Sequence, residues 1–193
     1  MRRAGRPRHD ARVAKTRAAL LNAFFELFTA ARAYEDITVQ ELARRAAVGR
    51  STLYEHFGGK DGVLAASLAR PFGVLADSIE PRDNTVALGT LLQHFWHNRA
   101  RGRTLFEYPM HTRTVAVLRS LIEERLRRRP ASERARLGLP PRLAAVQLSE
   151  ALIAPIAAWM TGETACTPQR LARALRASAQ ALTVCLSQSR SRR

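Results

Sequence analysis

The sequence predicts an all-α protein with a small N-terminal domain of three helices and a larger helical C-terminal domain. Apolar residues recur at three- and four-residue steps along most of the 193 residues, which is the spacing of one helix face. No stretch of useful length alternates apolar and polar residues as a half-buried strand would. Hydrophobic residues make up 46% of the chain, which is enough for a core and excludes global disorder.

The chain carries a strong positive charge. Its formal net charge is +16, its pI is about 11.6, and only Lys15 and Lys60 among the 32 Lys and Arg residues are lysines. Such an excess predicts a polyanionic partner. A GC-rich coding sequence would also favour arginine and alanine codons, so composition alone leaves both explanations open.

Several classes of protein and site are not expected. Cys166 and Cys185 form no CxxC pair, which favours free thiols in a reducing compartment over a disulfide or a metal site. The basic start, residues 1–12, has no apolar run behind it and is not a secretory signal. Uncharged runs such as residues 151–162 are shorter than the roughly 20 residues of a membrane helix. We therefore expect a soluble, cytoplasmic protein.

The N-terminus predicts a basic tail followed by a first helix. Residues 1–11 are polar and basic, and we expect a flexible tail that is either merely solvated or an arm touching DNA phosphates. From Val13 an apolar face begins, and the helix is predicted to end near the polar connection at 31–36. The residues of that face are Val13, Leu20, Phe24, Leu27, Phe28 and Ala31.

Two short helices are predicted next, joined by a tight turn. Thr38 and Glu41 have the spacing of a capping box, so a helix is expected to begin at Val39. Residues 47–49, Ala-Val-Gly, predict a turn, and residues 50–57 form the next helix. Two short helices joined in this way predict a helix-turn-helix, whose second helix enters the major groove of DNA.

The side chains of this pair divide into an inner and an outer set. Ala43 is small where the helices must approach, and Val48 and Leu53 can fill the angle between them. The outer set is rich in groups that bond phosphates or base edges. On the second helix it consists of Arg50, Ser51, Thr52, Tyr54 and Glu55.

Residues 37–64 resemble the N-terminal DNA-binding segment of the TetR family of transcriptional regulators, and the likeness extends over roughly residues 13–64. The matching positions are Thr38, Ala43, Val48, Thr52, Leu53, Tyr54, Phe57 and Lys60. Two positions depart from the family pattern. Ala47 stands where the family usually has Gly, and Gly49 stands where Ser or Asn often caps the second helix.

The resemblance implies roles for the outer side chains. Tyr54, His56 and Lys60 would hold phosphates, while the start of the second helix would reach base edges. The full set expected to bind DNA is Thr38, Gln40, Arg50, Ser51, Thr52, Tyr54, His56 and Lys60. Three alternatives stay open at this point: Tyr54 as a half-buried core aromatic, His56 as a helix-end residue packed on a neighbour, and Thr38 as a cap alone.

The C-terminal part, residues 61–193, is predicted to be helical throughout. Helices are expected at about 62–79, interrupted by Pro71, and at 85–102, 114–129, 142–161 and 168–187, with a loop at 130–141. Thr167 followed by Pro168 marks the start of the last helix.

A cluster of aromatic and soft side chains in this part suggests a small-molecule pocket. Its members are Phe95, Trp96, Phe106, Met110 and His111, and the same residues would also suit a simple helical core. His94 and His97 lie near this cluster, but no carboxylate or cysteine stands at ligand spacing. We therefore expect neither a metal site nor a cofactor.

The last two helices carry apolar stripes that are either core or an interface. In the TetR family these helices pack with those of a second chain as a four-helix bundle, and the resemblance implies the same here. The residues expected at this interface are Leu152, Ile156, Trp159, Leu171, Leu175, Ser178 and Leu182. The alternative is an ordinary core within one chain.

The function expected is that of a dimeric repressor, built from a DNA-binding domain at 12–60 and a ligand-binding and dimerisation domain at 61–193. A small, largely apolar ligand would release it from a palindromic operator. The alternatives are a ligand-independent DNA-bound architectural or partner-binding factor and a general RNA or polyanion binder. An enzyme is not expected, since the sequence shows no nucleophile with a base, no phosphate-binding glycine loop and no metal motif.

Overall fold

The computed structural model describes residues 6–28 and 32–188, and within these ranges every regular element is a helix. This confirms the all-α fold class. The chain divides into two compact units, one ending at Leu68 and the other beginning at Ala69.

In the described part of the N-terminal unit, residues 6–28 and 32–68, there are three α-helices and the start of a fourth. These are α1 (Arg6–Leu27), α2 (Val39–Arg45), α3 (Arg50–Phe57) and α4 (Lys60–Ala76), with a 3₁₀ turn at Tyr34–Asp36 between α1 and α2. Its core is aromatic: the ring of Phe24 lies 5.4 Å from that of Phe28 and 6.2 Å from that of Tyr34, centre to centre.

Helix α1 begins earlier than the sequence predicts. Its first residue is Arg6 rather than Val13, so residues 6–11 are helical where a tail was expected. Arginine and alanine are strong helix formers, and Pro7 stands in the first turn, where a missing N–H breaks no intrahelical bond. Residues 1–5 of the predicted tail, and Ala31 of the predicted helix face, lie outside the described residues.

Over residues 69–188, the C-terminal unit contains six further α-helices. They are α5 (Thr85–His97), α6 (Arg99–Gly102), α7 (Met110–Arg128), α8 (Ala131–Arg136), α9 (Pro141–Thr161) and α10 (Pro168–Gln188). Helix α9 packs against α7 and α10, and α10 packs against α5. Trp159 of α9 is fully buried, and its indole N–H donates to the carbonyl of Cys166 over 2.9 Å.

Several boundaries in this unit differ from the sequence prediction. The helix expected at 85–102 breaks at Asn98, whose side-chain amide donates to the carbonyl of His94 and so caps α5. Helix α4 continues through Pro71, and the expected loop at 130–141 contains the short helix α8. The start of α10 is as predicted, since the hydroxyl of Thr167 accepts from the N–H of Arg170.

Five of the seven residues predicted at a dimer interface belong to the core of the single chain. Their side chains are at most 8% exposed in the single chain, so their contact with a second chain stays a prediction. The five are Leu152, Ile156, Trp159, Leu171 and Leu175. Helix α9 is covered on two sides by α7 and α10, which draws its largest apolar side chains inward. Ser178 is exposed and Leu182 is partly exposed.

Two helical stretches, Lys60–Ile79 and Pro141–Thr161, have the length and hydropathy of a membrane span. These stretches are longer than the uncharged runs of the sequence because they contain charged residues, among them Arg70 in the first stretch and Glu150 in the second. Half of each stretch is buried inside the protein, as in a core helix, and neither is a convincing span.

Candidate nucleic-acid interface

Thr38 caps helix α2 as the sequence predicts. Its hydroxyl oxygen accepts a hydrogen bond from the N–H of Glu41 over 3.1 Å, which satisfies one of the free donors of the first turn. The Glu41 carboxylate does not return to the cap. It accepts two hydrogen bonds from Arg32, at 2.8 and 2.6 Å, which lower the pKa of Glu41 and raise that of Arg32. Arg32 also donates to the backbone carbonyl of Asp36, so it links the segment between α1 and α2 to helix α2.

The turn between α2 and α3 is strained at one residue. Ala47 has φ of 53°, in the left-handed region that glycine adopts without cost. The turn is closed by hydrogen bonds from the N–H of Ala47 to the carbonyl of Arg44 and from the N–H of Val48 to the carbonyl of Ala43. The position at which the sequence departs from the family pattern is therefore one where an alanine adopts a positive φ.

Helix α3 begins at Arg50 and ends at Phe57, as predicted. Gly49 precedes it without a side-chain cap, and Gly58 ends it in the left-handed conformation. Leu53 is fully buried, whereas Tyr54 is 54% exposed and is not a core aromatic. The inward and outward faces of the helix are therefore those that the sequence indicates.

The outward side chains of α2 and α3 form the α2–α3 surface, defined as Thr38, Gln40, Arg44, Arg50, Ser51, Tyr54 and Glu55, all of them exposed. Thr52 is partly exposed beside it. Within the described residues, no side-chain hydrogen bond or ion pair is found for Gln40, Arg50 or Tyr54. Arg45 differs, since it pairs with Glu26 of α1.

The side chain of Lys60 and the backbone of His56 form hydrogen bonds within the protein. The Lys60 ammonium donates to the carbonyl of Tyr34 over 2.9 Å and lies 4.2 Å from the centre of the Tyr34 ring. His56 is partly exposed, and its backbone carbonyl accepts from Arg17 over 2.8 Å. Contact of either side chain with phosphate stays a prediction, to which the structure adds an internal role for Lys60.

Three residues that the sequence did not single out fix the ends of α3 and α4. Arg17 holds the end of α3 through the His56 carbonyl and lies 4.3 Å from the centre of the Phe57 ring. The buried Tyr34 donates its hydroxyl to Asp61 over 2.6 Å. A Cβ on Gly62 would lie 1.7 Å from the carbonyl oxygen of Phe57, so the backbone of α3 rests directly on α4 there. The sequence contained two signals that could have identified them: Gly62 is a single glycine within a predicted helix, and Tyr34 is a tyrosine within a polar connection.

The residues predicted to line a ligand pocket are mostly core. Phe95, Phe106 and Met110 are at most 9% exposed, and the rings of the two phenylalanines meet edge to face at 6.0 Å. Trp96 is 40% exposed and stacks on Trp159. None of these residues, nor His111, lines either of two grooves of the C-terminal unit, of about 900 and 690 Å³. A pocket at these residues stays a prediction.

Comparison with known proteins identifies a family whose model matches the segment that contains α2 and α3. Residues 20–67 match the family model of bacterial regulatory proteins, tetR family. A stretch of 70 residues is 30% identical to the uncharacterized HTH-type transcriptional regulator YxbF of Bacillus subtilis strain 168 and covers 36% of this chain. The matched region spans only 18% of that curated relative.

Solved structures of similar fold cover most of the chain. A TetR transcriptional regulator from Streptococcus agalactiae 2603V has a TM-score of 0.53 at 24% identity, covering 89% of this chain and 97% of that one. A TetR transcriptional regulator from Rhodococcus sp. RHA1 has a TM-score of 0.50 at 15% identity, covering 89% and 96%. At these identities the likeness shows the fold.

Ala47→Gly should stabilise the N-terminal unit by about 0.5–1 kcal/mol, because glycine removes the left-handed strain. The matched control is Ala46→Gly, since Ala46 has φ of −80° and gains nothing from glycine. Amide hydrogen exchange of residues 39–57 would measure the local stability of both variants. Relative to the unaltered chain, protection should increase in Ala47→Gly and decrease in Ala46→Gly. A loss of protection in both would contradict the assignment of strain to Ala47.

Gly62→Ala should destabilise the N-terminal unit by about 1–3 kcal/mol, because the added methyl meets the Phe57 carbonyl and the backbone must move. Gly73→Ala lies in the same helix with 3.7 Å of clearance, so it should be neutral or slightly stabilising. Urea denaturation followed by circular dichroism would compare the two. Equal stability of both variants would show that the close approach at Gly62 is not a constraint.

Proposed function

The chain belongs to the TetR family of bacterial regulatory proteins, and from this premise we propose that it is a sequence-specific DNA-binding transcriptional regulator. The observation that carries the proposal is the α2–α3 surface. Gln40, Arg50 and Tyr54 are exposed and have no side-chain hydrogen bond or ion pair among the described residues, while Leu42, Ala43 and Leu53 are buried. This arrangement leaves α3 free to enter a major groove.

In the proposed complex the start of α3 reads bases and the surrounding residues position the helix. Arg50 stands at the first position of α3 and can bond guanine bidentately. Ser51 and Thr52 follow it and can reach a base edge or a phosphate. Tyr54, Gln40 and the capping hydroxyl of Thr38 would hold phosphates. The net charge of +16 adds a sequence-independent attraction that salt weakens.

We place dimerisation on the outward faces of α9 and α10, in place of the buried residues that the sequence suggested. Leu143 is 53% exposed and Val184 is 50% exposed, and Val146 lies one turn from Leu143 with 36% of its surface exposed. Ser178 of α10 is also exposed. Exposed large apolar side chains on two helices that pack against each other favour a contact surface there. A two-fold dimer would present two α3 helices to half-sites about 34 Å apart in a palindromic operator.

The proposed regulator is a cytoplasmic repressor that a small, largely apolar effector releases from its operator. Release requires that the effector bind more tightly to the form that does not fit the operator. The packed state of Phe95, Phe106 and Met110 favours a second candidate, a DNA-bound factor on the same fold that needs no ligand at these residues. Operator binding that no apolar compound changes would select the second candidate.

Arg50→Ala should cost about 1–3 kcal/mol on the operator and little on random DNA, because it removes a base contact. Tyr54→Ala should weaken binding to both duplexes alike, because phosphates are the same in every sequence. Fluorescence anisotropy at about 0.15 M salt would measure both, on duplexes selected from a random pool.

Arg101→Ala is the matched control for Arg50→Ala, since Arg101 is an exposed arginine of the C-terminal unit and its loss changes the charge equally. It should leave operator binding nearly unchanged. Losses of equal size for Arg50→Ala and Arg101→Ala would show that net charge, and not α3, determines binding.

Val146→Glu should weaken dimerisation at least about tenfold, because it places two carboxylates in an apolar contact. Val86→Glu is the control, since Val86 is 84% exposed on α5 and does not belong to the proposed face on α9 and α10. Sedimentation velocity over a range of protein concentrations would measure the dissociation constant of each. A dimer that withstands Val146→Glu, or one that Val86→Glu disrupts, would place the interface elsewhere.

A further inference from the structure

Helix α1 continues beyond the part that the core of the N-terminal unit requires. Among its described side chains Leu20 is the first that is buried, and none at residues 10–19 is buried. We call residues 10–19 the α1 extension, and it runs for about 15 Å along the helix axis. The extension precedes residues 20–67, the segment that matches the family model. Neither core packing nor the family match therefore explains why the chain keeps it.

The α1 extension is helical because it continues a helix that is already packed. Adding a residue to an existing helix costs much less free energy than starting a new one. Leu20, Ala23 and Phe24 are buried and fix the adjoining turns. The extension itself consists mostly of alanine, arginine and lysine, which are strong helix formers. A helical extension holds its side chains in defined directions, which a flexible tail would not do.

Two cations of the α1 extension lack neighbours that would neutralise them. Arg12 and Lys15 are exposed and stand three residues apart, so they lie on the same side of the helix. The positions three and four residues away from either contain Arg, His, Lys, Thr and Ala, but no carboxylate. Asp10 is two residues from Arg12, a spacing at which helical side chains do not face each other. Within the described residues, neither Arg12 nor Lys15 has a side-chain hydrogen bond or ion pair.

The third cation of the α1 extension, Arg17, connects it to the end of α3. Its guanidinium donates to the backbone carbonyl of His56 over 2.8 Å. Lys15 and Arg12 stand about 3 and 7.5 Å farther along the α1 axis, at 1.5 Å per residue. Glu55 of α3 forms no ion pair with either cation in the part of the chain that the structure describes. The extension therefore holds two cations without side-chain partners within about one and a half turns of the contact with α3.

We infer that Arg12 and Lys15 bind the phosphate backbone of the duplex that α3 enters, as a second contact outside the α2–α3 surface. This inference rests on the proposed function. A helix that lies in the major groove, which is about 12 Å wide, has the phosphates of both groove walls close to its ends. Guanidinium and ammonium groups donate to phosphate oxygens, which are the same in every sequence. The extension therefore adds affinity and fixes orientation, and it leaves the choice of bases to α3.

The first test measures the salt dependence of DNA binding by the full chain with both cations replaced. Arg12→Ala combined with Lys15→Ala should reduce the slope of log K against log salt concentration by about 2 per chain, or about 1 for each lost phosphate contact. The affinity should fall by the same factor for a selected duplex and for a random duplex. Alanine is the strongest helix former, so the helix should persist, and circular dichroism would confirm this.

The matched control is Arg82→Ala combined with Arg101→Ala, which removes two exposed arginines from the C-terminal unit. This variant should leave the slope nearly unchanged. Equal changes of slope in the two double variants would show that net charge acts, and would overturn the inference. An unchanged slope in the variant of Arg12 and Lys15 would overturn it as well, since the extension would then be only a solvated helix end.

Ethylation interference would locate the contact on the DNA. An ethylated phosphate loses its negative charge, so each contacted phosphate is detected as a position where ethylation blocks binding. The unaltered chain should show about two such phosphates per half-site that the variant of Arg12 and Lys15 lacks. The same positions should remain in Tyr54→Ala, which removes a different contact. Identical patterns for the unaltered chain and the variant of Arg12 and Lys15 would contradict the inference.

Selection of duplexes from a random pool separates this inference from the proposed function. Both the unaltered chain and the variant of Arg12 and Lys15 should enrich the same sequence, and a different sequence in the variant would overturn the role assigned to the extension. If the two enrich the same sequence with the same salt slope, the proposed function stands and the inference fails. If neither enriches a sequence and only this variant has a lower slope, the extension binds phosphate and the proposed function fails.

Discussion

Helix α4 is fixed at both ends by cations that bind backbone carbonyls, and α3, which carries most of the α2–α3 surface, ends just before its start. At its start, Lys60 donates to the carbonyl of Tyr34, and the backbone of α3 rests on Gly62. At its end, Arg125 donates to the carbonyl of Gly73, one of the last four carbonyls of the helix, which lack an intrahelical partner. Two more arginines bind the segment that follows α4: Arg129 donates to the carbonyl of Ile79, and Arg176 to the carbonyls of residues 78, 80, 81 and 82.

These contacts explain why so many arginines have a structural use in a chain of high positive charge. Arg17 and Arg32 hold the N-terminal unit together, just as Arg125 and Arg176 hold the segment at and after the end of α4. An exposed arginine without a side-chain partner among the described residues is then the informative one. Arg50 is such a residue, and it stands at the start of α3.

The local features of the N-terminal unit could be predicted from the sequence because they depend on residues close together in the chain. The cap at Thr38, the turn at residues 47–49 and the start of α3 at Arg50 all follow from spacings of a few residues. The contacts of Arg176 with the carbonyls after α4 span more than ninety residues, and no local pattern indicates them. The outward face of α9 could not be predicted for another reason: α9 is apolar on most sides, so its stripe does not separate core from surface.

The central claim is that α3 reads a DNA sequence, and selection of bound duplexes from a random pool at about 0.15 M salt tests it most directly. The account predicts enrichment of two inverted half-sites whose centres lie about 10 base pairs, or a multiple of that, apart. It also predicts that the enriched duplex binds far more tightly than a random duplex of the same length. A pool that shows no enriched sequence, with binding that salt weakens equally for every duplex, would contradict the account and leave the net charge as the cause of binding.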